Sequence, residues 1–248
     1  MDGREYEKMD LREAIKAGIQ VVYQDFSIFP NLTVYENIGL NKLLVNRRKL
    51  VSRGIMKETA ESALNQIGAD IPLTAKVEEL SVVDKQLVAI ARAIVNDARI
   101  LILDEPTSAL TNREVKELFK VIESLKEKGI AIVFVSHKLD EIFRICDRVS
   151  VLSNGKSVIE KKKLVYYMTG KEYNDKSLAS GMTGTEPIMT VHGLGLKNCF
   201  EDINFELYPG EVLGITGLLG SGRTELAQAI YGITPAERGE IQIKGKTV

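Results

Sequence analysis

Short apolar runs alternate with longer amphipathic segments over the first 150 residues of the chain. Each run has the length of a buried strand, and each intervening segment repeats apolar residues at helical spacing. The predicted strands are 18–24, 100–104, 131–135 and 148–152. The predicted helices begin near Thr33 and cover 57–67, 81–94, 112–127 and 138–145, with Ser81 as an N-cap. Buried strands that alternate with helices predict a parallel α/β sheet.

The pattern changes near residue 160. Residues 160–187 are first charged and then rich in Gly, Ser and Thr, without sustained periodicity, which predicts a linker. The later stretches "IMTVHGL", "EDINFEL" and "EIQIKGKTV" alternate like antiparallel strands, and "EVLGITGLLGSGRTELAQAIYG" reads as a buried strand, a glycine loop and a helix. The sequence therefore predicts a first domain at 1–159, a linker at 160–187 and the start of a second domain at 188–248.

Composition narrows the functional classes. The 33 basic and 34 acidic residues give a formal net charge of -1 over 248 residues. This balance argues against a protein that binds nucleic acid by neutralising many phosphates. The longest apolar runs, "ILIL" and "AIVFV", are far shorter than the roughly 20 residues that span a bilayer. Cys146 and Cys199 have no metal-ligand spacing, which favours two reduced thiols in a cytosolic protein.

Two adjacent carboxylates follow the strand in "ILILDEPTSAL". Asp104 and Glu105 at a strand end are typical of a metal-bound phosphate site, although a solvated strand end explains the pair alone equally well. His137 ends the next strand and Gln24 ends the first one. In open parallel sheets ligands bind at the carboxyl edge, so three strands deliver candidate side chains to one place.

A glycine loop between a buried strand and a helix carries the spacing of a phosphate loop, with arginine where lysine is usual. Its glycines let backbone N–H groups turn inward, and the helix presents its positive end to phosphates. The alternative is a tight turn that binds nothing. The candidate phosphate-binding residues are Gly217, Gly220, Ser221, Gly222, Arg223 and Thr224.

These motifs together resemble a known family. Gln24, "LSVVDKQ", "ILILDEPTSAL" and "VSHKLDEIFRICDRVSVLSNGK" are similar, in order and spacing, to the nucleotide-binding domain of ABC transporters. "GLLGSGRTELAQAIYG" resembles the start of the second domain in tandem ATPase subunits of bacterial ribose, galactose and xylose importers. The resemblance implies a P-loop NTPase of ABC type, α/β with a parallel sheet and a helical subdomain, plus an antiparallel β segment at the C-terminus.

The resemblance also implies roles and ligands. The ligands would be ATP and Mg²⁺, with Asp104, Gln24 and Thr224 at the metal. Glu105 would be the general base, His137 would sense the γ-phosphate, and Gln24 would couple the nucleotide to a membrane partner. Ser81 would belong to the signature loop that closes on ATP held by an opposite domain.

Two features depart from the family. Val82 and Val83 stand where the signature loop normally has glycine, and their branched side chains crowd a close backbone approach. The stretch 156–176 is also shorter than in the family, where a strand and a helix usually close the first domain. Because the phosphate loop follows its acid pair in the chain, two arrangements are open. Either the Arg223 loop and Asp104 serve different composite sites of a longer parent, or "VLGITG" inserts beside "ILILD" and brings Thr224 to Asp104.

The sequence thus predicts the ATPase subunit of a bacterial sugar importer, present as a fragment whose isolated activity is expected to be near background. The expected partners are membrane-spanning permease subunits, a second ABC domain or subunit and, indirectly, a periplasmic sugar-binding protein, but no nucleic acid. The expected location is the cytoplasmic face of the inner membrane, as a peripheral protein. Two alternatives stay open: a soluble ABC-type clamp in translation or DNA repair, and a non-catalytic relic.

Overall fold

The computed structural model describes most of the chain. The described residues are 11–23, 27–45, 52–95, 97–153, 156–158, 186–217, 220–243 and 246–247. Gln24 and almost all of the predicted linker at 160–187 lie outside them, so the division of the chain into two domains stays a prediction. Within the described ranges, no helix combines the length and the apolar character needed to cross a membrane.

The elements of the first 158 residues follow the predicted alternation. The helices are α1 (Leu11–Lys16), α2 (Val34–Val45), α3 (Arg53–Ile67), α4 (Val82–Ile94), α5 (Asn112–Glu127) and α6 (Leu139–Ile145). The strands are β1 (Ile19–Val22), β2 (Ile100–Asp104), β3 (Ala131–Val135), β4 (Arg148–Ser153) and β5 (Lys156–Val158). The predicted strands and helices of this part are therefore confirmed, with end points shifted by a few residues at most.

The later residues contribute more strands and one helix. They are β6 (Met189–Leu196), β7 (Phe200–Leu207), β8 (Val212–Gly217), α7 (Arg223–Ile230), β9 (Arg238–Ile243) and β10 (Lys246–Thr247). Among the described residues the strands join in the order β1-β2-β3-β8-β4-β5-β7-β6-β9-β10. The first five in this order pair in parallel, and the pairs β6–β7, β6–β9 and β9–β10 are antiparallel. This matches the predicted parallel sheet with an antiparallel C-terminal segment.

Strand β8 lies inside the sheet formed by the earlier part of the chain, between β3 and β4. This insertion was one of the two arrangements expected from the sequence, which placed β8 beside "ILILD", that is, beside β2. That placement is wrong, because β2 already has β1 on one edge and β3 on the other. The free edge that accepts β8 is that of β3, the next strand after β2 in the sheet.

Hydrogen bonds fix where β8 enters the sheet. The N–H of Val212 donates to Oδ2 of Asp147 at 2.8 Å, and Oδ1 of Asp147 accepts from Lys126 Nζ at 2.5 Å. The N–H of Ile132 donates to the carbonyl of Glu211 at 2.7 Å. Because Asp147 directly precedes β4 and Ile132 lies in β3, both neighbouring strands set the register of β8.

Two apolar cores cover the two faces of the parallel strands. One core packs helices α2 to α5 against one face and contains Ile38, Leu64, Ile90 and Phe119. The other lies between the opposite face, α7 and the antiparallel strands, and contains Ile100, Ile215, Leu226 and Ile203. Residues from both parts of the chain share this second core, so burial of apolar surface holds β8 and α7 against the earlier strands.

Side chains cap the starts of two helices, and the cap at Ser81 was predicted. Ser81 caps α4, since its side chain accepts from the N–H of Asp84. Thr111 and Glu114 form a reciprocal capping box at the start of α5. Such caps satisfy N–H groups that have no partner inside the helix.

Candidate functional site

Three adjacent strands deliver polar residues to one edge of the sheet. Strand β2 ends at Asp104, β3 is followed by Ser136 and His137, and β8 ends at Gly217, where the glycine loop begins. The carboxyl ends of parallel strands meet at the same edge, where open α/β sheets bind ligands. The insertion of β8 therefore brings the loop and the acid pair together, although they are more than 100 residues apart in the chain.

Asp104 is almost fully buried, with 3% of its surface exposed. Its Oδ1 accepts from the Thr224 hydroxyl at 3.5 Å, so Thr224 does come near Asp104 as predicted. Burial raises the pKa of the Asp104 carboxyl, and the Thr224 hydroxyl partly offsets this effect. A buried carboxylate beside a hydroxyl is a pair of oxygen ligands suited to Mg²⁺.

Glu105 is held on both carboxylate oxygens. Arg223 Nη1 lies 3.0 Å from its Oε1, and His137 Nδ1 lies 2.7 Å from its Oε2. Its backbone has a φ of 49°, a left-handed conformation that is uncommon for a residue with a side chain. The N–H of Glu105 donates to the carbonyl of Val135 at 3.0 Å, which ties the turn to β3.

The glycine loop passes through places that have no room for a side chain. A Cβ on Gly217 would lie 2.2 Å from the carbonyl oxygen of Leu152, and a Cβ on Gly222 would lie 2.5 Å from that of Cys199. Gly222 has a φ of 88° and directly precedes α7. The side chain of Ser221 is buried, and its Oγ has no hydrogen-bond partner among the described residues. Such an orphaned hydroxyl beside a helix N-terminus suits an anionic ligand.

The structure does not bring every predicted residue to this cluster. Gln24 is outside the described residues. Ser81 exchanges hydrogen bonds with Asp84 in its own capping turn, at 2.7 Å and 3.2 Å. Val83 is buried and Val82 is 36% exposed at the start of α4, so the two valines take different environments. The roles predicted for Gln24 and Ser81 remain predictions.

Hydrogen bonds with α6 and the residue before it hold the turn after the acid pair, and the sequence did not predict them. Thr107 is fully buried, and its hydroxyl donates to Oε2 of Glu141 at 2.5 Å. Lys138 Nζ donates to the carbonyl of Thr107 at 2.9 Å and lies 3.2 Å from Oε1 of Glu141. The available signal was the spacing in "SHKLDE", which puts Glu141 one helical turn after His137 and Lys138.

The arrangement fits a phosphate chain and a divalent cation. The loop offers backbone N–H groups, the Ser221 hydroxyl and the Arg223 guanidinium, and Asp104 and Thr224 offer oxygen ligands beside it. Within the described residues no group of three or more His, Cys, Asp or Glu side chains could hold a metal by itself. Asp104 and Thr224 would hold a cation here. When bound, it would neutralise charge on the phosphates.

A groove of about 810 Å³ adjoins the loop at Gly220. Its walls come from the bulged end of β6, the start of β7 and the start of β9, and they include Lys197, Cys199 and Arg238. A volume of this size is within the range of small-molecule sites. The glycine loop therefore borders a groove with room for a small molecule.

Comparison with known proteins defines the class. The sequence profile described as ABC transporter matches residues 1–108 and 200–248. These two segments contain the acid pair and the glycine loop, respectively. The chain belongs to the ABC transporter family.

Curated relatives give a more particular likeness. The chain is 38% identical to the ribose import ATP-binding protein RbsA of Oceanobacillus iheyensis, over 99% of this chain and 51% of the relative. It is 40% identical to the RbsA of Geobacillus kaustophilus, over 100% of this chain and 52% of the relative. The chain thus spans about half the length of the curated relatives it matches.

A solved structure supports the fold. The chain resembles cbiO1 from Clostridium perfringens, described as part of the ABC transporter complex cbiONQ, with a TM-score of 0.51 and 26% identity. The match covers 62% of this chain and 65% of that one. The chain therefore has the α/β P-loop NTPase fold of ABC type.

Proposed function

We propose that the protein is an ATP-binding and ATP-hydrolysing subunit that energises import of a ribose-type monosaccharide. The observation that carries the proposal is that Arg223 and Thr224 of the glycine loop meet Glu105 and Asp104 at one sheet edge, with His137 beside Glu105. The names of the ribose import relatives support the sugar class.

Each residue has a task in this proposal. The loop and Arg223 bind the phosphates, and the orphaned Ser221 hydroxyl donates to them. Asp104 and Thr224 hold Mg²⁺, and Glu105 accepts a proton from the attacking water. His137 lies within 2.7 Å of Glu105 and orients that carboxylate. The groove beside Gly220 takes the nucleoside.

The proposed partners are membrane-spanning permease subunits, a second ABC domain or subunit and, through the permease, a sugar-binding protein. The protein would then lie at the cytoplasmic face of the membrane as a peripheral subunit. Closure of two ABC domains on ATP would drive the permease, and hydrolysis would reset it. Gln24 and Ser81 keep their predicted roles in coupling and in the opposite domain's site.

Equilibrium binding tests the site itself. We expect the protein to bind a fluorescent ATP analogue in the presence of Mg²⁺, because loop and acids meet in one place. Asp104→Asn should remove most of the Mg²⁺ dependence of that affinity and leave the fold intact. Thr111→Ala, which alters a distant capping box, is the matched control and should bind as the unaltered protein does. Binding that is absent, or indifferent to Mg²⁺, would overturn the proposal.

The sugar class has its own test. Cells that lack their ribose ATP-binding subunit should regain uptake of labelled ribose when this chain is supplied together with a second ABC domain, a ribose-type permease and a binding protein. Glu105→Gln should abolish the gain. Nucleotide binding without any rescue would keep the ATP site but refute the assignment to ribose.

A further inference from the structure

The loop's one cation, Arg223, is engaged by the residue proposed as the general base. The Arg223 and Glu105 side chains are 7% and 11% exposed, and Nη1 and Oε1 are 3.0 Å apart. A cation in this place normally reaches the β- and γ-phosphates. Here its charge is directed at a carboxylate of the same site, in surroundings with little water to screen the attraction.

The same contact restrains Glu105. With Arg223 on Oε1 and His137 on both oxygens, at 2.9 and 2.7 Å, the carboxylate already has two donors and is only 11% exposed. A general base must lie within hydrogen-bond reach of the water whose proton it accepts. One ion pair thus engages both Arg223, the cation expected to bind phosphate, and Glu105, the proposed general base.

A bound phosphate chain competes for Arg223. A guanidinium prefers two parallel hydrogen bonds to one anion, and Glu105 receives only the Nη1 contact. A phosphate group offers several oxygens in the geometry that the guanidinium matches. The phosphates therefore have a structural advantage over the carboxylate once they are in the loop.

We propose that Arg223 is a ligand-responsive latch on Glu105. In the nucleotide-free protein it pairs with Glu105 and keeps the carboxylate away from water; a bound triphosphate takes Arg223 over and releases Glu105. Arginine is suited to this exchange because its long fork reaches from one anion to the other. The inference rests on the proposed ATP site and deepens it, because it makes the base available only when phosphates are present.

Equilibrium binding of a non-hydrolysable imido analogue of ATP, with Mg²⁺, tests the latch without relying on turnover. The four proteins are the unaltered chain, Glu105→Gln, Arg223→Met and the double variant. Glu105→Gln relieves charge repulsion with the phosphates in both backgrounds, but it also frees a latched arginine where Arg223 is present. We expect the gain in affinity to be about tenfold greater in that background, or about 1.4 kcal/mol of coupling.

Equal gains in the two backgrounds, or a smaller one with Arg223 present, would overturn the latch while leaving the ATP site standing. No binding by the unaltered chain would instead refute the proposed function. Glu211→Gln is the matched control: Glu211 is a buried glutamate 3.2 Å from Arg148 and outside the site, so its neutralisation should leave the affinity unchanged. If Arg223→Met does not fold, Arg223→Lys takes its place. The gain in affinity from Glu105→Gln should then be severalfold smaller with lysine than with arginine, because lysine lacks the fork.

Discussion

Gly214, in the middle of β8, is where the inserted strand leaves no space for a side chain. A Cβ at this position would lie 2.8 Å from Sγ of Cys146 and 3.1 Å from two atoms of Ile142. Both neighbours are buried: Ile142 lies in α6 and Cys146 directly follows it, in the earlier part of the chain. Gly214→Ala should therefore lower the free energy of unfolding by about 1–3 kcal/mol, the usual cost of an overpacked core.

Removal of the sulfur should relieve part of that cost. Burial raises the pKa of the Cys146 thiol, so the thiol is neutral at neutral pH and Cys146→Ala removes no charge. Alone, this change should cost about 1 kcal/mol for the lost apolar contact. The double variant should lose about 1 kcal/mol less unfolding free energy than the two single variants lose together, because the nearest clash is gone. The remaining 3.1 Å contacts with Ile142 keep the relief partial.

Urea denaturation followed by circular dichroism measures the free energy of unfolding of the unaltered protein, the two single variants and the double variant. Gly195→Ala is the matched control, since Gly195 lies in β6 and a Cβ there has no neighbour nearer than 3.7 Å. We expect it to change stability by less than about 0.5 kcal/mol. Additive costs of Gly214→Ala and Cys146→Ala would show that these residues do not touch. The placement of β8 between β3 and β4 would then be refuted.

Three further predictions test other parts of the structure. Gly222→Ala should destabilise the protein more than Gly220→Ala in thermal melts. Both glycines have a positive φ, but only a side chain at Gly222 would clash, with the carbonyl of Cys199. Equal losses of stability would contradict the close approach of the loop to Cys199. Burial raises the pKa of the Glu211 carboxyl, so its contribution to stability is present below the ordinary glutamate pKa and is lost as pH rises through the raised one. Glu211→Gln should remove that pH dependence of the melting temperature, and an unchanged profile would count against it. Thr111→Ala should cost about 1 kcal/mol through loss of the capping box; no loss in urea denaturation would mean the cap contributes nothing.

The local elements could be predicted because their signals are local. The helix predicted at 112–127 is α5, Asn112–Glu127, and its start is marked by a cap and its buried face by periodic apolar residues. The strands at 100–104 and 131–135 are equally close to prediction. In each case the residues that specify the element lie within the element or next to it.

The neighbours of β8 could not be predicted in the same way. The runs "ILILD" and "AIVFV" are both apolar and both form parallel strands, so nothing in their composition decides which one accepts β8. The choice depends on β1 and β3 having already covered both edges of β2. Such occupancy is a property of the assembled sheet and has no local signal.

The candidate site shows the same division. Residue types and strand ends predicted that Asp104, Glu105 and His137 would meet, and the glycine spacing predicted the loop. The pairing of Arg223 with Glu105 was not predicted, because it depends on which strand lies beside β3. The polar support from Thr107 and Glu141 was missed for a similar reason, since it joins the turn after β2 to α6.

Strand β3 explains why both parts of the site meet although β2 and β8 do not touch. Its end accepts the N–H of Glu105 at Val135, and the N–H of Ser136 donates to the carbonyl of Ile215 in β8 at 3.1 Å. The acid turn and the strand that leads into the glycine loop are therefore both hydrogen-bonded to the same few atoms of β3. A small shift of β8 along β3 would change the distance from Arg223 to Glu105, because β8 ends at Gly217, where the loop that precedes Arg223 begins. The side chain that completes the cluster, His137, comes from β3 as well, so this one strand sets the geometry of the base, the cation and their shared contact.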